Sequence, residues 1–161
     1  MLYKLASRRA VLLALLAVGA CGFTPALAPG GDMLKLRNTV AVSAPDTIAG
    51  FAIRSRLIDR LGRATAPIAT LSVNVEEALD VAAQSQSGAT LRYNVVGAAG
   101  WQLTAADGTV WGSGQVDGFT SYAATGSTVA TQSAATDAVG RLMIILGDKV
   151  VAQLMLLDLP Q

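Results

Sequence analysis

The chain has 161 residues, 52% apolar and only 14% charged, with 12 Lys and Arg against 11 Asp and Glu and a net charge of +1. That length supports one domain with a real core and excludes two sizeable ones. Histidine is absent, which removes the commonest general base and metal ligand, and the single cysteine, Cys21, excludes an internal disulfide and any Cys/His metal cluster.

At the N-terminus Lys4, Arg8 and Arg9 precede a continuous apolar run, Ala10 to Val18, and no acid occurs before Asp32. The run is too short to span a bilayer, which takes about 20 residues. A positive start, a short apolar stretch and small residues at its end describe an export signal over residues 1–20. The order Val18-Gly19-Ala20-Cys21, aliphatic-small-small-Cys, resembles the bacterial lipobox. In that reading the Cys21 thiol takes a diacylglyceryl group, the signal is cut before it, and the new amino terminus is acylated. Three acyl chains exceed the two-signal threshold for stable anchoring. The alternative is an ordinary secretory signal with a stray cysteine after the cut. "SRRAVLL" also resembles a twin-arginine signal, although two arginines before an apolar run are common in ordinary ones. Gly22, and not Asp, follows the cysteine, which under the lipoprotein resemblance points to the outer membrane. Without Lys4, Arg8 and Arg9, nine basic residues face 11 acids, a net −2 that argues against a nucleic-acid partner.

Residues 21–33, beginning "CGFTPALAPGGD", are rich in Pro and Gly and read as a tether to a single domain over 34–161. "MLKLRNTVAVSAP" supplies a first strand through alternating Val40 and Val42. A helix follows over "TIAGFAIRSRLIDRLG", with Asp46 or Thr47 as N-cap and Gly62 as the stop. At 100° per residue Phe51, Ile53, Leu57, Ile58 and Leu61 share an apolar sector. Arg56, Asp59, Arg60 and Arg63 lie opposite, while Arg54 points into the apolar sector. The basic side is either solvated or set against an acidic or phosphate-bearing surface.

Period-two alternation then takes over. In "ATLSVNVEEALDVA" Leu71, Val73, Val75, Leu79 and Val81 share one face, and Glu77 alone breaks the phase, as a bulge would allow. "TLRYNVVGAAGWQLTA" places Leu91, Tyr93, Val95, Trp101 and Leu103 together. Asp107-Gly108 turns the chain into "TVWGSGQVDGFTSY". Three strands of about 15 residues would each reach roughly 50 Å; the alternative is that weak strand formers shorten them. Gly97, Gly100, Gly112, Gly114 and Gly118 would permit bends or close backbone approach. Ser127 or Thr128 caps a last helix whose face is Val139, Leu142, Met143, Leu146, Val150, Leu154 and Leu157. The order β-α-β-β-β-α predicts an α+β domain: a mostly antiparallel, long-stranded sheet with both amphipathic helices packed on one face.

No constellation for catalysis occurs. There is no Ser/His or Cys/His pair, no G-x-S-x-G elbow and no P-loop. Glu76 and Glu77, the nearest carboxylates, should point to opposite faces of a strand. "TGS" before the last helix could meet a phosphate, but helix capping accounts for it. The expectation is a protein that is not an enzyme and needs no cofactor or metal.

"CGFTP" at the lipidated cysteine, the element order, and "FTSYAATGSTVATQSAATDAVGRL" together resemble the LptE family of LPS-assembly lipoproteins. The resemblance spans the whole mature chain. It implies a periplasmic-side outer-membrane lipoprotein inserted in the LptD β-barrel, acting as plug and assembly partner, with lipopolysaccharide as its ligand. Lipid A phosphates would be met by Lys or Arg, and Lys35, Arg37, Arg54 and Arg92 are the candidates. The rival expectation is an auxiliary lipoprotein of an ABC-type lipid transporter.

Overall fold

A computed structural model describes residues 32–124 and 126–159. The signal segment, Cys21 and nearly all of the tether lie outside the described residues. Helix α1 (Asp32–Leu36) leads into strand β1 (Val40–Ser43), helix α2 (Ile48–Leu61), strands β2 (Ala69–Gln84), β3 (Thr90–Ala105) and β4 (Val110–Ala123), and helix α3 (Thr128–Leu154). The sheet order is β1-β2-β3-β4. β1 pairs with β2 in parallel, and the other two pairings are antiparallel. The predicted α+β fold and element order are therefore what the chain adopts. Only α1, whose Leu36 is wholly buried, was not expected.

Local chemistry explains the boundaries. Thr47 is the N-cap of α2, its hydroxyl accepting from Gly50 N at 3.0 Å, and Gly62 ends the helix with φ 82°. Ser127 caps α3 in the same way, accepting from Ala130 N. At the β3–β4 hairpin the Asp107 carboxylate accepts from Thr109 N at 2.9 Å, and Gly108 takes φ 89°. β2 and β3 are each 16 residues long and β4 is 14, so the weak strand formers do not shorten them. Continuous pairing along β3 stabilises residues that alone would not hold a strand.

Helices α2 and α3 cover one face. Ile53, Leu57 and Leu61 of α2 and Leu142, Met143, Leu146, Val150 and Leu154 of α3 pack on Leu71, Val73, Val95, Trp101 and Leu103. The register pair Gly97–Gly118 leaves a trough in the sheet under α3. A Cβ at Gly97 would sit 3.0 Å from Leu142 Cδ2, so the absent side chain is what lets the helix settle there.

Four details depart from the sequence reading; in the first, Leu157, read on the face of the last helix, lies past its end at Leu154. The ladder runs unbroken through Glu77↔Gly97, so Glu77 marks no bulge; the register shifts come later, between Val81 and Gln84. Phe51, placed in the apolar sector of α2, is 64% exposed, because the sheet under that helix is narrow and the far flank of the sector has nothing to meet. Leu79 and Val81 continue the apolar phase of β2 but are 61% and 47% exposed, since the strand runs on past the cover that α2 provides.

Candidate functional surface

The four cations singled out from the sequence do not gather. Lys35 and Arg37 are exposed and close together in α1 and the turn after it. Asn38 N donates to Leu61 O at 2.8 Å and Ile68 N to Thr39 O at 2.8 Å, which fixes this corner where β2 begins. Arg54 is a third exposed, lies 4.0 Å from Asp46, and has its guanidinium 5.8 Å from the centre of the Phe51 ring. Arg92 stands at the opposite end of the sheet, in register with Ala83 and Ala123, on the helix-free face, its Nη1 donating to Ser121 Oγ at 3.2 Å. Since β2 runs from Ala69 to Ala83 between these ends, Arg92 and the Lys35 corner are separated by something on the order of 45 Å. Lys35 and Arg37 are the two of the four that stand close together along the chain.

The basic side of α2 turns out to serve the fold. Arg56 donates through Nε and Nη2 to the two carboxylate oxygens of Asp148 on α3, at 3.1 and 2.7 Å, and Arg60 Nε lies 3.4 Å from the same carboxylate. This bidentate bond holds the Arg56 pKa above its ordinary value. The two helices pack tightly at buried Gly147, where a Cβ would be 3.0 Å from Arg56 Cγ.

A second row of side chains was not foreseen. Arg141, Lys149 and Gln153 of α3 donate to the carbonyls of Ser121, Asp117 and Gln115 along β4, at 3.1, 2.6 and 3.2 Å. Their spacing, multiples of four, is that of one helix face, and Ile145 fills the gap. Gln153 also accepts from the Trp101 indole N–H at 2.6 Å. The four-residue spacing is visible in the sequence, but its target is a backbone that no pattern names.

What remains uncovered is broad and shallow. The helix-free face is polar along Ser72, Asn74, Gln102, Ser113 and Gln115, and turns apolar at one row, Ala78–Val96–Phe119. That row floors a depression of about 500 Å³ flanked by Glu76 and Asp117. A groove of about 420 Å³ between α2 and α3 is lined by Phe51, Arg56, Asp59, Asp137, Arg141 and Ile144. Among the described residues no three His, Cys, Asp or Glu side chains could hold a metal ion, and no charged side chain is buried. No helix described is long and apolar enough to cross a membrane. Shallow mixed surfaces of this kind suit contact with a macromolecule better than enclosure of a small one.

Solved structures share this architecture. A lipoprotein of Caulobacter crescentus CB15 superposes with a TM-score of 0.65 at 18% identity, covering 77% of this chain and 93% of that one. Rare lipoprotein B of Shewanella oneidensis gives 0.56 at 12% identity, over 73% and 93%. A lipoprotein B of Nitrosomonas europaea gives 0.53 at 15%, over 73% and 81%. At these identities they establish the fold alone. No curated protein matches the chain significantly. A family model described as lipopolysaccharide-assembly matches residues 37–154, most of the chain and all of its long elements. With this match the chain belongs to the LptE lipopolysaccharide-assembly family.

Proposed function

We propose that this protein is an outer-membrane lipoprotein, held on the periplasmic side by acyl chains on Cys21, that pairs with an LptD-like β-barrel and serves as its plug and assembly partner during lipopolysaccharide transport. The family match across residues 37–154 carries this reading. The surface supports it. A domain housed in a barrel lumen has little room for unpaired charge, and the mature chain is sparsely charged. Its role is one of binding, without catalysis. Lys35, Arg37, Arg54 and Arg92 are assigned to lipid A phosphates as separate contact points, with Lys35 and Arg37 acting together.

The test is recovery of partners. The full chain is tagged after Gln161, the outer membrane is dissolved in mild detergent, and the co-purifying proteins are identified. A large β-barrel in near-equal amount is the expected result. Recovery of inner-membrane transporter subunits instead would replace this function with that of an ABC-type auxiliary lipoprotein. Cys21→Ser should abolish acylation and release the protein from the membrane fraction; retention would overturn the anchor.

A further inference from the structure

We propose that the unpaired edge of β2, from Val73 to Val81, receives an extended segment of a protein partner as an added strand, and that this segment carries Lys or Arg beside an apolar residue. The inference rests on reading this chain as one member of a protein pair, and it names the place and chemistry of the contact.

The edge is free by construction. β1 pairs only with Ala69 to Ser72 and then leaves the sheet for α2, while β2 continues to Gln84. Among the described residues no hydrogen bond reaches the outer side of β2 between Val73 and Val81. Such a row of N–H and C=O groups is a template for strand addition. The register shifts between Val81 and Gln84 end the regular stretch.

The side chains specify the occupant. Every charge on β2 is acidic: Glu76, Glu77 and Asp80. Among the described residues none of the three forms an ion pair or a side-chain hydrogen bond. Glu77 points to the helix face, Glu76 and Asp80 to the other, so basic residues on either face of an added strand would find a carboxylate. Beside the same edge lies a pocket of about 260 Å³ lined by Glu77, Leu79 and Val95 and by Gln132, Ala135 and Val139 of α3. An apolar side chain of the added strand would fill it and cover Leu79. A second copy of this chain does not fit, because antiparallel pairing of two β2 edges would crowd six carboxylates with no cation on either strand.

The probe is a nine-residue peptide of alternating Lys and Val, with a Glu-Val peptide as control. It is added to the full-length acylated protein in a non-ionic detergent, and backbone amide exchange is followed by NMR. The Lys-Val peptide should slow exchange of edge-facing amides between Val73 and Val81 at least tenfold and leave β4 unchanged. The Glu-Val peptide should do neither. The triple variant E76Q/E77Q/D80N should bind at least tenfold more weakly while keeping its fold by circular dichroism. Equal protection along β4, no protection, or unchanged binding by the variant would overturn the assignment. Concentration-dependent protection of β2 without peptide would overturn it in favour of a second copy. Peptide failure with the barrel still recovered would remove this edge assignment alone; peptide binding without barrel recovery would remove the proposed pairing function alone.

Discussion

β4 and β2 form the two long sides of one sheet and meet their surroundings in opposite ways. β4 lies along α3, and three of its carbonyls already accept from Arg141, Lys149 and Gln153. Beyond Ser72, the outer side of β2 receives neither a strand nor a helix donor among the described residues, and the charges of β2 are all of one sign. Sheets with an open edge tend to aggregate unless the edge is blocked. Here one edge is blocked by a helix and the other only by like charge, which repels a second copy and leaves a basic partner welcome. On this account an edge can be closed to self-association by like charge without being closed to a basic partner.

The comparison can be broken most severely by loosening α3. Leu142 is fully buried and rests over the Gly97–Gly118 trough. Leu142→Ala should cost roughly 3 kcal/mol, measured by urea unfolding, and should free the β4 edge as the helix shifts. A loss below about 1 kcal/mol would mean that the trough contact does not hold α3. Gln153→Ala acts on one position of the donor row. It strands the buried Trp101 indole N–H and bares the Gln115 carbonyl, and should cost about 1–2 kcal/mol. Gln153→Glu keeps an acceptor for Trp101 but sets a carboxylate oxygen against the Gln115 carbonyl, so its own loss relative to the unaltered protein reads the edge contact together with that repulsion, and the gap between the two variants reads the Trp101 bond.

A smaller change in the other direction comes from Gly140, which sits inside α3 with nothing within 4 Å of an added Cβ. Gly140→Ala should raise stability by about 0.5–1 kcal/mol, read as a higher thermal midpoint, and should not disturb binding at β2. The smallest effect concerns the turn that feeds β4. The Thr109 backbone N–H holds the Asp107 carboxyl below its ordinary value of 3.8. A lowered folded-state pKa gives stability that is complete above 3.8 and is lost as pH falls through the folded value. The hairpin should therefore loosen only below about pH 4, and Asp107→Asn should flatten the acid limb of a stability–pH curve. An unchanged limb would show that this turn contributes nothing to acid sensitivity.

The sequence made the order of the long elements, the Asp107-Gly108 hairpin and the long strands legible, and narrowed the cap of each long helix to two neighbouring residues, because each is encoded by residues within one turn or one period of alternation. It did not reveal where the sheet ends. A strand such as β2 reads the same whether its neighbour is four residues long or sixteen, so the freedom of the edge depends on where β1 stops and the exposure of Leu79 on where α2 ceases to cover the sheet. Phe51 fails for the same reason: helical periodicity says which side it lies on, not whether anything stands there. Of the candidate site, residue types were legible and proximity was not. Arg92 and Lys35 are both cations of the right chemistry, yet the register of β2 against β3 places them at opposite ends. Asp148, which takes up Arg56 and Arg60, lies on another helix at a distance in sequence that no local pattern spans.

The central claim, that the partner engages the open edge and not the covered one, is tested most directly by photo-crosslinking in intact cells. Ala78 and Phe119 lie in the same cross-strand row on the same face, at opposite edges of the sheet. A photoreactive residue is placed at each in the full-length lipoprotein, and adducts with the co-purifying barrel are quantified. The barrel adduct should form from position 78 several-fold more efficiently than from position 119, through a segment bearing Lys or Arg. Equal yields, or a yield favouring position 119, would contradict the account.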